Sequence, residues 1–185
     1  MNFRIGILFF CLPHFVWAAD PYQPARRLVA DVRQTFTIQD TEARLQRAKD
    51  LASKWFDFET FSRGCLKDYW EGLSIAEQEE YRTVFQERFL KNMLTKFQKR
   101  GPRPFSVRYH EVTQGPQELE MRLALKLEEG EEVGLTLYWT PSSKRWKLYD
   151  VTVSGVNLIA NYKGEFNKTM RERGLSSLLN QMRSS

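Results

Sequence analysis

Very few side chains in this sequence could make or break a covalent bond. With the amino-terminal leader set aside, and Cys11 and His14 with it, Cys65 is the one cysteine and His110 the one histidine left. A Ser-His-Asp relay would have to recruit His110. Yet Arg108-Tyr109-His110-Glu111 alternates like an exposed strand edge, which suits a solvated imidazole. One thiol excludes an intramolecular disulfide, and one cysteine plus one histidine is too few ligands for a Cys/His zinc centre. No metal site and no cofactor is expected. Asp57 and Glu59 are paired carboxylates, but Asp57 precedes a helical stretch and suits its N-cap. Asp150 interrupts an otherwise apolar strand. It is either a general base of the ketosteroid-isomerase sort or a structural carboxylate bonded to nearby backbone or a basic partner. The glycines are scattered and form no phosphate loop. Lys91, Lys96, Lys99, Arg100 and Arg103 gather at one helix end, either to offset its dipole or as a docking or anionic-lipid surface.

The leader itself is legible. Arg4 supplies a short positive start, Ile5 to Trp17 are mostly apolar, and Val16-Trp17-Ala18 offers the small residues that a signal peptidase needs. A membrane-spanning helix takes about 20 apolar residues, whereas this run is shorter and is broken by Pro13 and His14. Phe10 before Cys11 is too bulky for lipid modification of that cysteine. The expectation is a secretory signal over residues 1–18, cleaved near Ala18 or Ala19, and a single domain over residues 19–185 exported to the periplasm.

Of 185 residues, 42% are hydrophobic and 28% charged, which excludes a disordered chain and predicts a compact domain. The charge is +5, but its 28 basic and 23 acidic residues are interspersed, so nucleic acid binding is not indicated. Thirteen Phe, seven Tyr and five Trp are more rings than an ordinary core of this size needs. Leu28, Val29, Val32 and Phe36 recur at helical spacing after Pro24. A second helix starts near Asp40 with Leu45, Ala48, Ala52 and Trp55 on one face, and a short segment from Asp57 to Tyr69 follows. Ser74 and Glu77 form a capping box for a long helix to about Arg100, whose face carries Tyr81, Phe85, Phe89 and Phe97. Beyond Pro102 and Pro104 the period switches to two. Strands are expected at Phe105 to Val112, Leu119 to Leu127, Val133 to Thr140 and Arg145 to Val153, antiparallel because their connections are short. Helical spacing returns after Gly155, stops at Gly174 and resumes at Leu175.

The fold class is therefore α+β, a curved antiparallel meander of about four strands covered by several helices. Large residues face large residues on both layers and leave few small side chains to close the gap, so a persistent apolar cavity is expected.

Two segments carry a resemblance. Trp55-Phe56-Asp57-Phe58-Glu59-Thr60-Phe61, followed by Leu66-Lys67-Asp68-Tyr69-Trp70 and Leu73-Ser74-Ile75-Ala76-Glu77-Gln78, resembles one signature of the MlaC family. These are the periplasmic phospholipid-binding proteins of the Mla pathway, also called toluene-tolerance or ABC-transporter auxiliary proteins. Trp146-Lys147-Leu148-Tyr149-Asp150-Val151, Gly155-Val156-Asn157-Leu158-Ile159 and Asn161-Tyr162-Lys163 with Phe166 resemble its second signature. Lys67 stands where the family usually has glycine, Asn157 where it has serine, and Lys163 where it has arginine, which keeps the charge but loses the bidentate fork.

The resemblance implies a soluble carrier, not an enzyme, whose apolar pocket holds phospholipid acyl chains as cargo with the headgroup near the mouth. It implies shuttling between an outer-membrane lipoprotein complex and an inner-membrane ABC transporter with a hexameric lipid-binding subunit. The expected wall is Phe85, Phe89 and Met93 from the long helix, Leu123, Leu125, Leu135, Leu137 and Trp139 from the sheet, and Val151, Val153, Val156, Ile159 and Tyr162 towards the carboxyl end. Two other readings are a cavity enzyme acting on an apolar substrate with Asp150 as base, and a periplasmic adaptor that binds proteins through exposed aromatics.

Overall fold

A computed structural model describes residues 20–100, 104–128, 130–143 and 145–184. The leader, Arg103, and the side chains of Phe97 and Arg100 lie outside the described residues. In chain order the elements are α1 (Gln23–Phe36), α2 (Thr41–Trp55), α3 (Phe58–Cys65), α4 (Lys67–Trp70), α5 (Ile75–Arg100), β1 (Phe105–Gln114), β2 (Leu119–Leu127), β3 (Glu132–Pro141), β4 (Trp146–Val153), β5 (Val156–Asn157) and α6 (Leu158–Arg183). The class is α+β as expected, with a fifth, two-residue strand added to the four.

Local chemistry sets most boundaries. Pro24 lies in the first turn of α1, where its missing N–H costs nothing. Asp40 Oδ1 accepts the Ala43 N–H at 2.7 Å and starts α2. Asp57 Oδ1 accepts the Thr60 N–H at 3.0 Å and starts α3. Ser74 and Glu77 exchange hydrogen bonds at the head of α5, the Ser74 N–H to Glu77 Oε2 at 2.8 Å and the Glu77 N–H to Ser74 Oγ at 3.3 Å. Gly174, at φ 74° and ψ 179°, breaks α6 into two helical halves, a conformation open essentially only to glycine.

The sheet is an antiparallel meander in the order β1-β2-β3-β4-β5. Its register stacks Met121, Leu137 and Val151 in one cross-strand row and Leu123, Leu135 and Val153 in the next. The last hairpin turns through Ser154 (φ 48°) and Gly155 (φ 84°), the two positive φ values that a type I′ connection requires.

Two apolar clusters result. One joins α3, α4, α5 and α6 around Phe61, Tyr81, Phe85, Phe89 and Phe166. The other joins α1, α2 and the inner face of the sheet around Leu51, Trp55, Met121, Leu137 and Trp139. Phe56 packs against both, and the chain is held there by the Asp57 N–H donating to Leu148 O at 2.8 Å.

Candidate functional site

The second cluster is hollow. Between α1, α2, the far end of α5 and the β1–β2 end of the sheet lies an open-mouthed cavity of about 550 Å³. Helix α1 contributes Leu28, Val32, Thr35 and Phe36, and α2 contributes Ala48, Leu51, Ala52 and Trp55. Phe56, Met93, Phe105, Leu125 and Leu127 complete the apolar wall, with Lys99 and Glu131 beside them. Burial grades along this wall. Thr35, Ala48, Leu51, Ala52 and Trp55 are buried and form the floor, while Lys99 and Glu131 are exposed and mark the mouth. Beside Leu51 and Trp55, α2 presents the small methyl groups of Ala48 and Ala52, one turn apart, where larger side chains would have filled space. The Thr35 hydroxyl donates to Asp31 O at 2.9 Å, so the buried polar atom of the floor is already satisfied.

Trp55 closes the floor and is clamped there. Its Nε1–H donates to Asp31 Oδ2 at 2.8 Å, and Lys54 Nζ reaches the same oxygen at 2.6 Å. Its ring stands edge-on to Trp139, with centroids 6.0 Å apart and planes at 81°. Burial alone would raise the Asp31 pKa, but the hydrogen bonds from Lys54 and Trp55 and the charges of Lys54 and Arg47 outweigh it and hold the carboxyl below its usual range.

Of the residues expected to line a cavity, Met93 and Leu125 do so. Phe85 and Phe89 turn instead into the helical cluster, where Phe61 meets Phe89 at 5.2 Å and Phe85 at 5.3 Å between ring centroids. Ile159 and Tyr162 pack on that same cluster. Edge-to-face rings at these spacings fill volume efficiently, so the aromatic surplus builds a solid core. Leu123, Leu135, Leu137, Trp139 and Val151 belong to the sheet-side cluster but do not reach the cavity surface. Val153 and Val156 flank the Ser154-Gly155 turn and are exposed. Sequence reasoning overlooked the contribution of α1 and α2. The available signal was Ala48 and Ala52 on an otherwise bulky apolar face.

The polar candidates resolve into structural roles. Asp150 is buried and accepts hydrogen bonds from the Val151 N–H at 2.8 Å, Asn157 Nδ2 at 2.6 Å and the Ile159 N–H at 3.2 Å. Desolvation pushes its pKa up, against the pull of those three donors. His110 is exposed at a bulge in β1, and its carbonyl accepts the Tyr22 hydroxyl at 3.3 Å. Glu59 pairs with Arg82. Cys65 is fully buried, and that burial pushes its thiol well up, with the Asp150 charge adding to the effect. The signature residues likewise hold the frame. Gln78 Nε2 donates to Trp70 O at 3.0 Å. Lys163 Nζ, in the second signature, meets Asp68 Oδ1 of the first at 3.0 Å, so the substituted lysine still makes an ion pair.

A five-stranded meander under helices has one half solid with aromatic rings and the other opened into a largely apolar cavity, charged among the described residues at its mouth, a scaffold with room for a hydrophobic ligand. The chain belongs to the MlaC protein family, whose family model matches residues 23–184. It is similar in fold to a solved phospholipid-binding protein from Ralstonia solanacearum, determined in complex with a phospholipid. The TM-score is 0.78 at 21% identity, over 90% of this chain and 96% of that one. No curated protein sequence matches it.

Proposed function

We propose that this protein is a soluble periplasmic phospholipid carrier that takes acyl chain into the α1–α2 cavity and keeps the headgroup at the mouth beside Lys99 and Glu131. The observation that carries this reading is the cavity itself, walled mostly by apolar side chains, with the Thr35 hydroxyl of its floor satisfied and charge at its mouth. At about 30 Å³ per methylene-sized group, a water's share of liquid volume, 550 Å³ holds roughly one acyl chain. The physical need is clear. Exposing a chain of about 15 methylenes to water costs on the order of 12 kcal/mol at about 0.8 kcal/mol each. A wall of Leu, Val, Phe and Trp removes most of that cost without demanding one chain length. Membership of the family and the phospholipid in the Ralstonia relative support the same reading.

Carriage, rather than catalysis, suits a cavity whose lining includes neither Asp150 nor His110. Export by a cleaved leader, and exchange with an outer-membrane lipoprotein complex and an inner-membrane ABC transporter with a hexameric lipid-binding subunit, complete the proposal. The test is solvent extraction of the purified mature protein followed by mass spectrometry. Phospholipid near stoichiometric amounts is expected. A protein that is lipid-free and also takes up none from vesicles would overturn the reading.

A further inference from the structure

On the far side of Trp55 from the apolar cavity the surface changes character. A cleft of about 390 Å³ is lined by Lys54, Ser142, Ser143, Arg145 and Lys147, and these described residues include no carboxylate. An adjoining cleft of about 370 Å³ shares Lys54 and Arg145 and adds Arg27, Asp31 and Trp55. Two of the cations are fixed in place by bonds to groups other than a ligand. Lys54 is held by Asp31 at 2.6 Å, and Lys147 Nζ donates to Ser53 O, in the last turn of α2, at 3.2 Å. Arg145 in the β3–β4 turn and Lys147 in β4 line the same cleft. Burial, reinforced by the like charge of Arg145, holds Lys147 below its ordinary range. Offsetting the α2 dipole accounts for cations near its end. It does not account for Arg145, which lies on the β3–β4 hairpin beside the hydroxyls of Ser142 and Ser143.

We propose that this cleft binds a phosphate-class oxyanion, presented either as free phosphate or as the headgroup of an anionic lipid. Arg145 offers a planar fork and Lys147 and Lys54 compact positive charges, the donor set that tetrahedral oxyanions take. The two serine hydroxyls add neutral donors. Lys54 then links this site to the cavity. An oxyanion that engages Lys54 competes with Asp31 for it, and Asp31 is the acceptor that anchors the Trp55 indole at the cavity floor. Occupation of the cleft thereby loosens one wall of the cavity.

The experiment uses the mature chain and a double variant, Arg145→Gln with Lys147→Gln, neither of which lines the cavity. Inorganic phosphate is titrated calorimetrically against chloride at matched ionic strength. In a separate arm, vesicles containing phosphatidylglycerol are compared with vesicles of phosphatidylcholine alone in a co-sedimentation assay. Phosphate binding that weakens at least tenfold in the double variant supports the site with free phosphate as its ligand. Binding confined to the phosphatidylglycerol vesicles, and weakened as much, supports it with the lipid headgroup as ligand. Absence of both, or binding that the substitutions leave unchanged, overturns the site. The indole N–H resonance of Trp55, assigned with Trp55→Phe, is expected to shift on saturation; an unmoved resonance overturns the link to the cavity. Extractable phospholipid stays at the parent level in the double variant, so failure of this inference and failure of the carrier reading are told apart.

Discussion

Asn157 joins two elements through one side chain: its Nδ2 lies 2.6 Å from Asp150 Oδ2, while its Oδ1 accepts the Ala160 N–H at 2.8 Å. The first bond satisfies a buried carboxylate on β4, and the second caps α6. Asn157→Ala removes both. A lost cap costs about 1 kcal/mol, and a buried acceptor deprived of a partner about 1–3 kcal/mol more. The expected loss is about 2–4 kcal/mol in urea unfolding. Asn157→Ser keeps the cap oxygen and is expected to lose less.

The cavity makes a sharper prediction about size. Replacing Ala48 and Ala52 together with leucine adds bulk where the wall is hollow, so extractable phospholipid is expected to fall more than twofold. The unloaded protein should keep its melting temperature, because the added groups enter empty space rather than a filled core, where overpacking costs about 1–3 kcal/mol. A lower melting temperature with unchanged lipid content would contradict the placement of the floor.

A charge separates wall from core. Leu125→Glu puts a carboxylate on the cavity surface and is expected to leave a folded protein with reduced lipid. Leu137 is 5% exposed and sits in the packed sheet-side cluster, so Leu137→Glu buries an unpaired charge and is expected to prevent folding. Circular dichroism and lipid extraction on both variants distinguish the two outcomes.

Acid sensitivity follows from Asp31. Its pKa in the folded protein is lowered, so the folded state favours the ionised form more than the unfolded chain does. That contribution is complete above the unfolded value of about 3.9 and is lost as pH falls through it towards the lower folded value. Melting curves between pH 7 and pH 3 should therefore drop more steeply below about pH 4 for the parent than for Asp31→Asn. Asp150, whose pKa is raised, acts in the opposite direction, its burden easing as pH falls through the raised value.

At Gly174 the backbone conformation at φ 74° and ψ 179° is the constraint, since no atom would lie within 4 Å of an added Cβ. Gly174→Ala is expected to cost about 1–3 kcal/mol and to disturb the docking of Leu178, Leu179 and Met182, which the break directs into the helical core. Thermal unfolding measures it.

Local signals were the most legible in the sequence. Capping by Asp57 and by Ser74 with Glu77, the break at Gly174 and the period-two runs all depend on neighbours within a few residues, and the structure keeps each. The fifth strand was not legible, because two residues carry no period. Nor was the lining of the cavity. A phenylalanine on a helix face has the same spacing whether it meets another ring or empty space. Phe85 and Phe89 meet Phe61, and that encounter is tertiary. In the sequence Ala48 and Ala52 belong to an apolar stripe, although their small volume, not their polarity, is what opens the site.

The division into a solid half and a hollow half has a consequence for how such a chain tolerates change. Residues that secure folding, chiefly the interlocked rings of α3, α5 and α6, are largely not those that meet the cavity. Substitutions on α1 and α2 can therefore enlarge, narrow or reshape the container while leaving the ring cluster intact. Selection on what is carried and selection on remaining folded act on largely separate sets of positions within one small domain.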